Sequence, residues 1–96
     1  MRLPLEVVRG GGASLQESCE TRNLSSGGVL FQADVLLEVG QLIEYKITLP
    51  PNTPKERPVQ LYCKGKVVRH QSDNEGSLKH IAATLERYEF IRADKS

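Results

Sequence analysis

A short polar stretch before an apolar run is the part of the sequence best suited to binding chemistry. Residues 22–31 read RNLSSGGVLF. Its two glycines allow the backbone to adopt positive φ or to approach a ligand closely, and successive N–H groups in such a turn can hold an anion. Asn23 can donate and accept at a nucleobase edge. Arg22 and Arg2 could bond a phosphate or the O6/N7 edge of guanine.

Together these groups suit a nucleotide that carries phosphates. The competing interpretation is an ordinary polar turn in which the glycines serve geometry alone. The residue types do not decide between the two, so the rest of the chain has to be considered.

No set of residues predicts catalysis or a metal site. The two histidines and two cysteines of the chain match neither a nucleophilic triad signature nor an ordinary zinc spacing. Because Cys19 and Cys63 lie far apart and form no CxxC, we expect free buried thiols in a reducing compartment. We therefore expect no enzyme activity, no metal and no cofactor.

Length and charge limit the possible partners. The 96 residues predict one domain over 1–96. A net charge of +1, with only 5% aromatic residues and no Trp, argues against DNA or RNA binding through a basic, aromatic surface. No apolar run approaches the roughly 20 residues of a membrane span, and the N-terminus lacks a signal peptide. A cytoplasmic location without membrane binding is expected.

Apolar and polar residues alternate along much of the chain, with the period of two that half-buried strands show. The clearest alternating stretches are residues 3–7, 43–49, 59–67 and 81–85. Turn and loop signals lie between them, at residues 10–12, 25–28, 50–58 and 72–77. Six or seven short strands with turns between them predict an antiparallel barrel or sandwich.

We favour a closed barrel because closure removes the open sheet edges that invite pairing with other chains. Gly65, in the middle of a strand, suits a tight bend or bulge in such a barrel. The tail from Glu86 to Ile91 could continue the last strand or form one short helical turn.

Several of these segments resemble PilZ domains. The stretch from Asn23 to Gly28 fits the D/N-x-S-x-x-G motif of that family, with Asn23, Ser25 and Gly28 on the fixed positions. The segments RLPLEV (2–7), 42–49, YCKGKVVR (62–69) and 80–85 are similar to successive family strands, although the last lacks the usual glycine. The resemblance implies an all-β fold, a six-stranded antiparallel barrel with, as one option, a short C-terminal helical turn.

The resemblance also implies a function. PilZ domains are receptors for cyclic di-GMP, a bacterial second messenger with two guanines and two phosphates, and they pass the signal to a partner protein or fused domain without catalysis. In that family an RxxxR motif before the first strand also grips the ligand. No RxxxR occurs in these 96 residues, and Arg2 falls where its second arginine would lie. The implied ligand-binding residues are Arg2, Arg22, Asn23, Ser25 and Gly28.

The incomplete arginine motif supports an alternative, a PilZ-like domain that binds no nucleotide and mediates protein–protein contacts. Four further residues are given roles from the sequence. Phe31 and Tyr45 are expected in the core, whereas Lys66 and Arg69 are expected to face solvent, with ligand contact as the less favoured option.

Overall fold

Seven β-strands make up the regular structure of the residues that can be described. The computed structural model describes residues 3–34, 37–51, 57–72 and 79–92. The strands are β1 (Pro4–Gly10), β2 (Ala13–Ser25), β3 (Gly28–Ala33), β4 (Leu42–Leu49), β5 (Val59–Ser72), β6 (Lys79–Thr84) and β7 (Arg87–Arg92). In the described part of the chain, no helix has the length and apolar character that a membrane span requires.

Six of the strands close into an antiparallel barrel. Their order is β4-β1-β2-β3-β6-β5, and β4 also pairs with β5, which completes the ring. The prediction of a closed six-stranded barrel is confirmed. β7 is a seventh strand that pairs with β5 beside the ring.

The chain after β6 continues as a strand and not as a helical turn. β6 pairs with the second half of β5, where Val67 lies opposite Ala83, and β7 pairs with the first half, where Lys64 lies opposite Arg87. Since β5 has 14 residues, it offers an edge long enough for both strands in succession. The helical option for 86–91 was therefore wrong, because this edge provides backbone partners for an extended tail.

Alternate side chains of the strands fill the barrel. Phe31 and Tyr45 have no exposed surface, which confirms that both belong to the core. The Tyr45 hydroxyl donates to the Thr84 carbonyl at 3.0 Å, and burial raises the pKa of Tyr45. The buried apolar residues are Leu3, Leu5, Val7, Val29, Phe31, Ala33, Leu37, Ile43, Tyr45, Ile47, Cys63, Val67, Ile81 and Ala83.

Thr21 is a polar residue inside this core. It has no exposed surface, and its hydroxyl accepts a hydrogen bond from the Leu3 N–H at 2.9 Å. The Thr21 N–H donates to the Leu3 carbonyl at 2.8 Å. Because buried polar groups are costly without partners, these two bonds fix the start of the described chain beside β2.

Three irregularities interrupt the strand pairing of the described residues, one of them between Val7 and Arg9 in β1, and the other two shape the outer surface near the polar hairpin. The register shifts between Thr21 and Asn23 in β2 and between Val67 and Arg69 in β5. Such a bulge places two residues of one strand opposite one residue of its partner. Both residues at each of these two bulges are exposed, Arg22 with Asn23 and Val68 with Arg69.

Gly65 is explained by a close approach of two backbones. A Cβ at this position would lie 1.7 Å from the Thr84 carbonyl oxygen. The crossing is held by two further bonds, from Lys66 N–H to Thr84 Oγ1 at 2.9 Å and from Glu86 N–H to the Lys64 carbonyl at 2.9 Å. The bend or bulge predicted at Gly65 is not there, since β5 has its bulge between Val67 and Arg69, and the glycine instead makes room for the end of β6.

A candidate ligand-binding groove on the barrel wall

The polar stretch forms a tight hairpin between β2 and β3. Ser25 and Gly28 pair across it. The Ser25 hydroxyl donates to the Gly28 carbonyl and accepts from the Gly27 N–H, each at 3.4 Å. The Gly27 carbonyl accepts a bond from the Leu85 N–H at 3.1 Å. The hairpin is thus tied to the junction of β6 and β7.

Neither glycine of the hairpin has a positive φ, the conformation that glycine adopts more readily than other residues. Positive φ occurs only at Gly11, Gly12 and Gly40 among the described residues. At Gly28 a Cβ would lie 2.6 Å from the Ala83 carbonyl oxygen, whereas at Gly27 it would meet nothing within 4 Å. Gly28 is therefore small because β3 lies close to β6, and Gly27 is under no such constraint.

A shallow open groove of about 340 Å³ lies on the outer wall beside this hairpin. We call it the wall groove. The residues that line it are Asn23, Ser25, Gly27, Gly28, Val29, Leu30, Val68, Ala82, Ala83 and Thr84. Its rim at the hairpin offers hydrogen-bonding groups, and the side chains of Leu30, Val68 and Ala82 give it an apolar floor.

The register of the sheet explains how these residues meet. Asn23 lies opposite Leu30, Leu30 lies opposite Ala82, and Ala82 lies opposite Arg69. Residues directly opposite each other in an antiparallel pair point to the same face. One row across four strands therefore runs from the hairpin, over the floor, to Arg69.

Arg22 precedes Asn23 and is exposed, but it does not line the groove. Its Nη1 donates to Gln32 Oε1 at 2.9 Å, and the Gln32 amide nitrogen lies 3.4 Å from His80 Nε2. These contacts hold the guanidinium beside the cross-strand pair of Gln32 and His80, which is the outward-facing pair next to Leu30 and Ala82. Since a guanidinium has five N–H donors, Arg22 retains donors for a ligand.

The structure brings three of the implied site residues together. Asn23, Ser25 and Gly28 line one groove, whereas Arg22 is bonded to Gln32 outside the lining. Arg2 lies outside the described residues.

Sequence reasoning missed the floor and far rim of the groove. Val68 and Ala82 come from strands far along the chain, and no local motif marks them. Lys66 and Arg69 are exposed, as predicted. Only the pairing of β6 with β3 and β5 shows that Arg69 shares a row with Asn23.

A second groove opens at the end of the barrel, on the other side of the hairpin. This end groove has a volume of about 450 Å³, and Leu24, Ser25, Ser26, Leu49, Leu61, Leu85, Tyr88 and Phe90 line it. Tyr88 and Phe90 are 56% and 67% exposed. Their rings pack edge to face, with centroids 5.9 Å apart. Among the described residues, no charged side chain lines this groove.

The thiols of the barrel are poor nucleophiles. Cys19 and Cys63 are free, as predicted, although only Cys63 is fully buried. Burial raises the pKa of Cys63 to about 11, and burial with nearby Glu17 and Glu20 raises the pKa of Cys19 to about 12. Because the thiolate is the reactive form, both remain unreactive at neutral pH. Among the described residues no three His, Cys, Asp or Glu side chains cluster as metal ligands would.

Comparison with known proteins identifies the family. The family model of the PilZ domain matches residues 1–94. No curated protein and no solved structure matches the chain. The match spans nearly the whole sequence and agrees with the closed six-stranded barrel. The chain therefore belongs to the PilZ domain family.

Proposed function

We propose that this domain is a receptor that binds cyclic di-GMP in the wall groove and does so without catalysis. The family is one of non-catalytic binding domains known as cyclic di-GMP receptors. The observation that carries the proposal is that Asn23, Ser25 and Gly28 line one groove with an apolar floor. Hydrogen-bonding groups beside an apolar surface match a nucleobase, which has polar edges and flat apolar faces.

Asn23 is the residue proposed to read a guanine edge. Its side chain is exposed, and it has no hydrogen-bond partner among the described residues. Its amide can therefore donate and accept at the same base. Ser25 has a different role, since its hydroxyl already bonds within the hairpin and keeps the turn in shape.

The arginines are proposed to hold phosphate or the O6/N7 edge of guanine. Arg22 directly precedes Asn23 and is exposed. Leu3 is bonded to Thr21, the residue before Arg22, so the start of the described chain lies near the hairpin. Arg2 directly precedes Leu3 in sequence, and we propose that it contacts the ligand from there.

A ligand held by Arg2 and the wall groove would cover part of the outer wall of the barrel. The surface that the domain offers to a partner protein or fused domain would then differ between the free and bound states. A ligand that changes which surface is presented can act as a switch. In a bacterial cytoplasm this change would carry the second-messenger signal.

Calorimetric titration of cyclic di-GMP into the domain tests the proposal. We expect micromolar affinity for the wild type and a loss of about tenfold or more for Asn23→Ala. The variant removes a hydrogen bond and leaves a polar group of the ligand buried without a partner. Ser26→Ala is the matched control, because Ser26 is a neighbouring exposed serine that lines only the end groove. Its affinity should stay within about twofold of the wild type. Equal losses in both variants would contradict the assignment of the wall groove.

The end groove favours one alternative, a domain that binds no nucleotide and docks a protein. Exposed Tyr88 and Phe90 beside several leucines form the kind of apolar surface that proteins use for association. The same titration separates the two functions. No heat from the wild type at hundreds of micromolar ligand would reject the nucleotide receptor and leave the protein-docking function.

A further inference from the structure

Two exposed cations, Lys66 and Arg69, lie on β5 across the wall groove from the hairpin. Arg69 ends the row that starts at Asn23, as described above. Lys66 lies beside the row of Ser25, Gly28 and Thr84, because its N–H donates to Thr84 Oγ1. With strands about 4.8 Å apart, three strand spacings separate the hairpin from these cations by roughly 14 Å along the sheet.

The bulge in β5 is what directs Arg69 to this rim. Val68 and Arg69 together lie opposite Ala82, and both are exposed. Val68 lines the groove and is 51% exposed. Without the register shift, regular alternation would not place two consecutive side chains on the outer face.

The surroundings distinguish Arg69 from the other cations of the same strand. Lys64 lies opposite Glu44 in the register of β4 and β5. Lys66 lies near Glu86, whose carboxylate accepts a bond from Thr84 Oγ1 at 2.9 Å. Arg69 lies opposite Ala82 and makes no ion pair with another described residue. Since its neighbour on β6 is uncharged, the charge of Arg69 is available to a ligand.

We infer that Arg69 binds a phosphate of the nucleotide from the rim opposite the hairpin. The inference rests on the proposed function. The hairpin supplies hydrogen-bonding groups, and among the described residues Arg22 is the only cation beside it. A guanidinium can hold a phosphate through two parallel hydrogen bonds. The nucleotide then lies across the apolar floor, with a base at Asn23 and a phosphate at Arg69.

The test is titration of cyclic di-GMP into Arg69→Ala, Arg69→Lys and Lys64→Ala at low and at physiological salt. Arg69→Ala should weaken binding about tenfold or more, as expected for a lost hydrogen bond to a charged group. It should also reduce the salt dependence of the affinity, because one screened charge pair is gone. Arg69→Lys keeps the charge and should restore part of the affinity. Lys64→Ala, on the same strand outside the groove, should bind within about twofold of the wild type.

The outcomes separate this inference from the proposed function. If the wild type binds and Asn23→Ala does not, but Arg69→Ala binds like the wild type, only the role of Arg69 is overturned. Equal losses in Arg69→Ala and Lys64→Ala would also overturn it, since they would reflect net charge and not contact. No binding by the wild type would overturn both. Thermal unfolding of each variant checks the fold, and Arg69→Gln replaces Arg69→Ala if the latter does not fold.

Discussion

The wall groove and the end groove meet at Ser25, which lines both, yet they differ in chemistry. The wall groove combines the hydrogen-bonding hairpin, a floor of small and medium apolar side chains, and Arg69 at its far rim. The end groove is formed by four leucines with Tyr88, Phe90 and the two serines of the hairpin, and no charged group lines it in the described part of the chain.

This difference shows that volume does not identify the nucleotide site. The end groove is the larger of the two, at about 450 Å³ against about 340 Å³. A ligand with phosphates must exchange its water for donors and cations, or lose free energy on burial. The end groove offers a few hydroxyl groups and no cation among the described residues, so its main contribution would be to remove apolar area from water. The register of β2, β3, β6 and β5 therefore matters more for this ligand than the size of the opening.

The largest expected effect comes from Gly65→Ala, which should damage both grooves together. The added Cβ would overlap the Thr84 carbonyl, which also accepts the Tyr45 hydroxyl. Thr84 lines the wall groove and Leu85 the end groove. We expect the free energy of unfolding in urea to fall by about 4 kcal/mol or more, because the neighbour is backbone and cannot move aside. A loss below about 1 kcal/mol would show that the close approach of Gly65 to Thr84 is not a support that the two grooves share.

A smaller effect, confined to the floor of the wall groove, is expected from Gly28→Ala. Its Cβ would lie 2.6 Å from the Ala83 carbonyl, which forces β3 away from β6. We expect a loss of about 1–3 kcal/mol in urea denaturation.

The matched control for that variant is Gly27→Ala. This neighbouring glycine has open space around a Cβ and no positive φ. Its change in stability should stay within about 0.5 kcal/mol. If both alanine variants were equally stable, the close packing of β3 on β6 would not be the reason for Gly28.

The smallest effect on the nucleotide is expected from changes in the end groove. Replacing Phe90 and Tyr88 by Ser should leave the affinity for cyclic di-GMP within about twofold of the wild type, because neither ring reaches the wall groove. It should lower the fluorescence of a bound hydrophobic dye, anilinonaphthalene sulfonate, by roughly half. Val39→Ser, at an apolar residue 64% exposed elsewhere, is the control for the dye. Loss of nucleotide affinity in the double variant would contradict the proposal that the nucleotide binds in the wall groove alone.

Alternation of residue types was enough to predict the strands, the barrel and the buried rings of Phe31 and Tyr45. It failed where the strand pairing departs from a strict period of two. The bulge at Val68 and Arg69 changes the phase of β5, so the sequence pattern stops at Val67. The tail was ambiguous for a related reason, since a six-residue segment becomes a strand only when an edge such as that of β5 is available.

The site was predictable only in its local half. The spacing of Asn23, Ser25 and Gly28 marks the hairpin, because a turn is encoded by neighbouring residues. The floor depends on which strands lie side by side, and a period of two does not specify neighbours. The reason for Gly28 was also hidden, since it lies in the backbone of β6 more than 50 residues away along the chain.

The bond from Leu85 N–H to the Gly27 carbonyl has a consequence for the order of synthesis. The motif is synthesised before β5 and β6, which fix its hairpin and complete its floor. A nascent chain that ends before β6 carries the motif without a site, and closing so long a loop is an entropic cost that only the finished barrel repays. Ligand binding would then report that the barrel is complete.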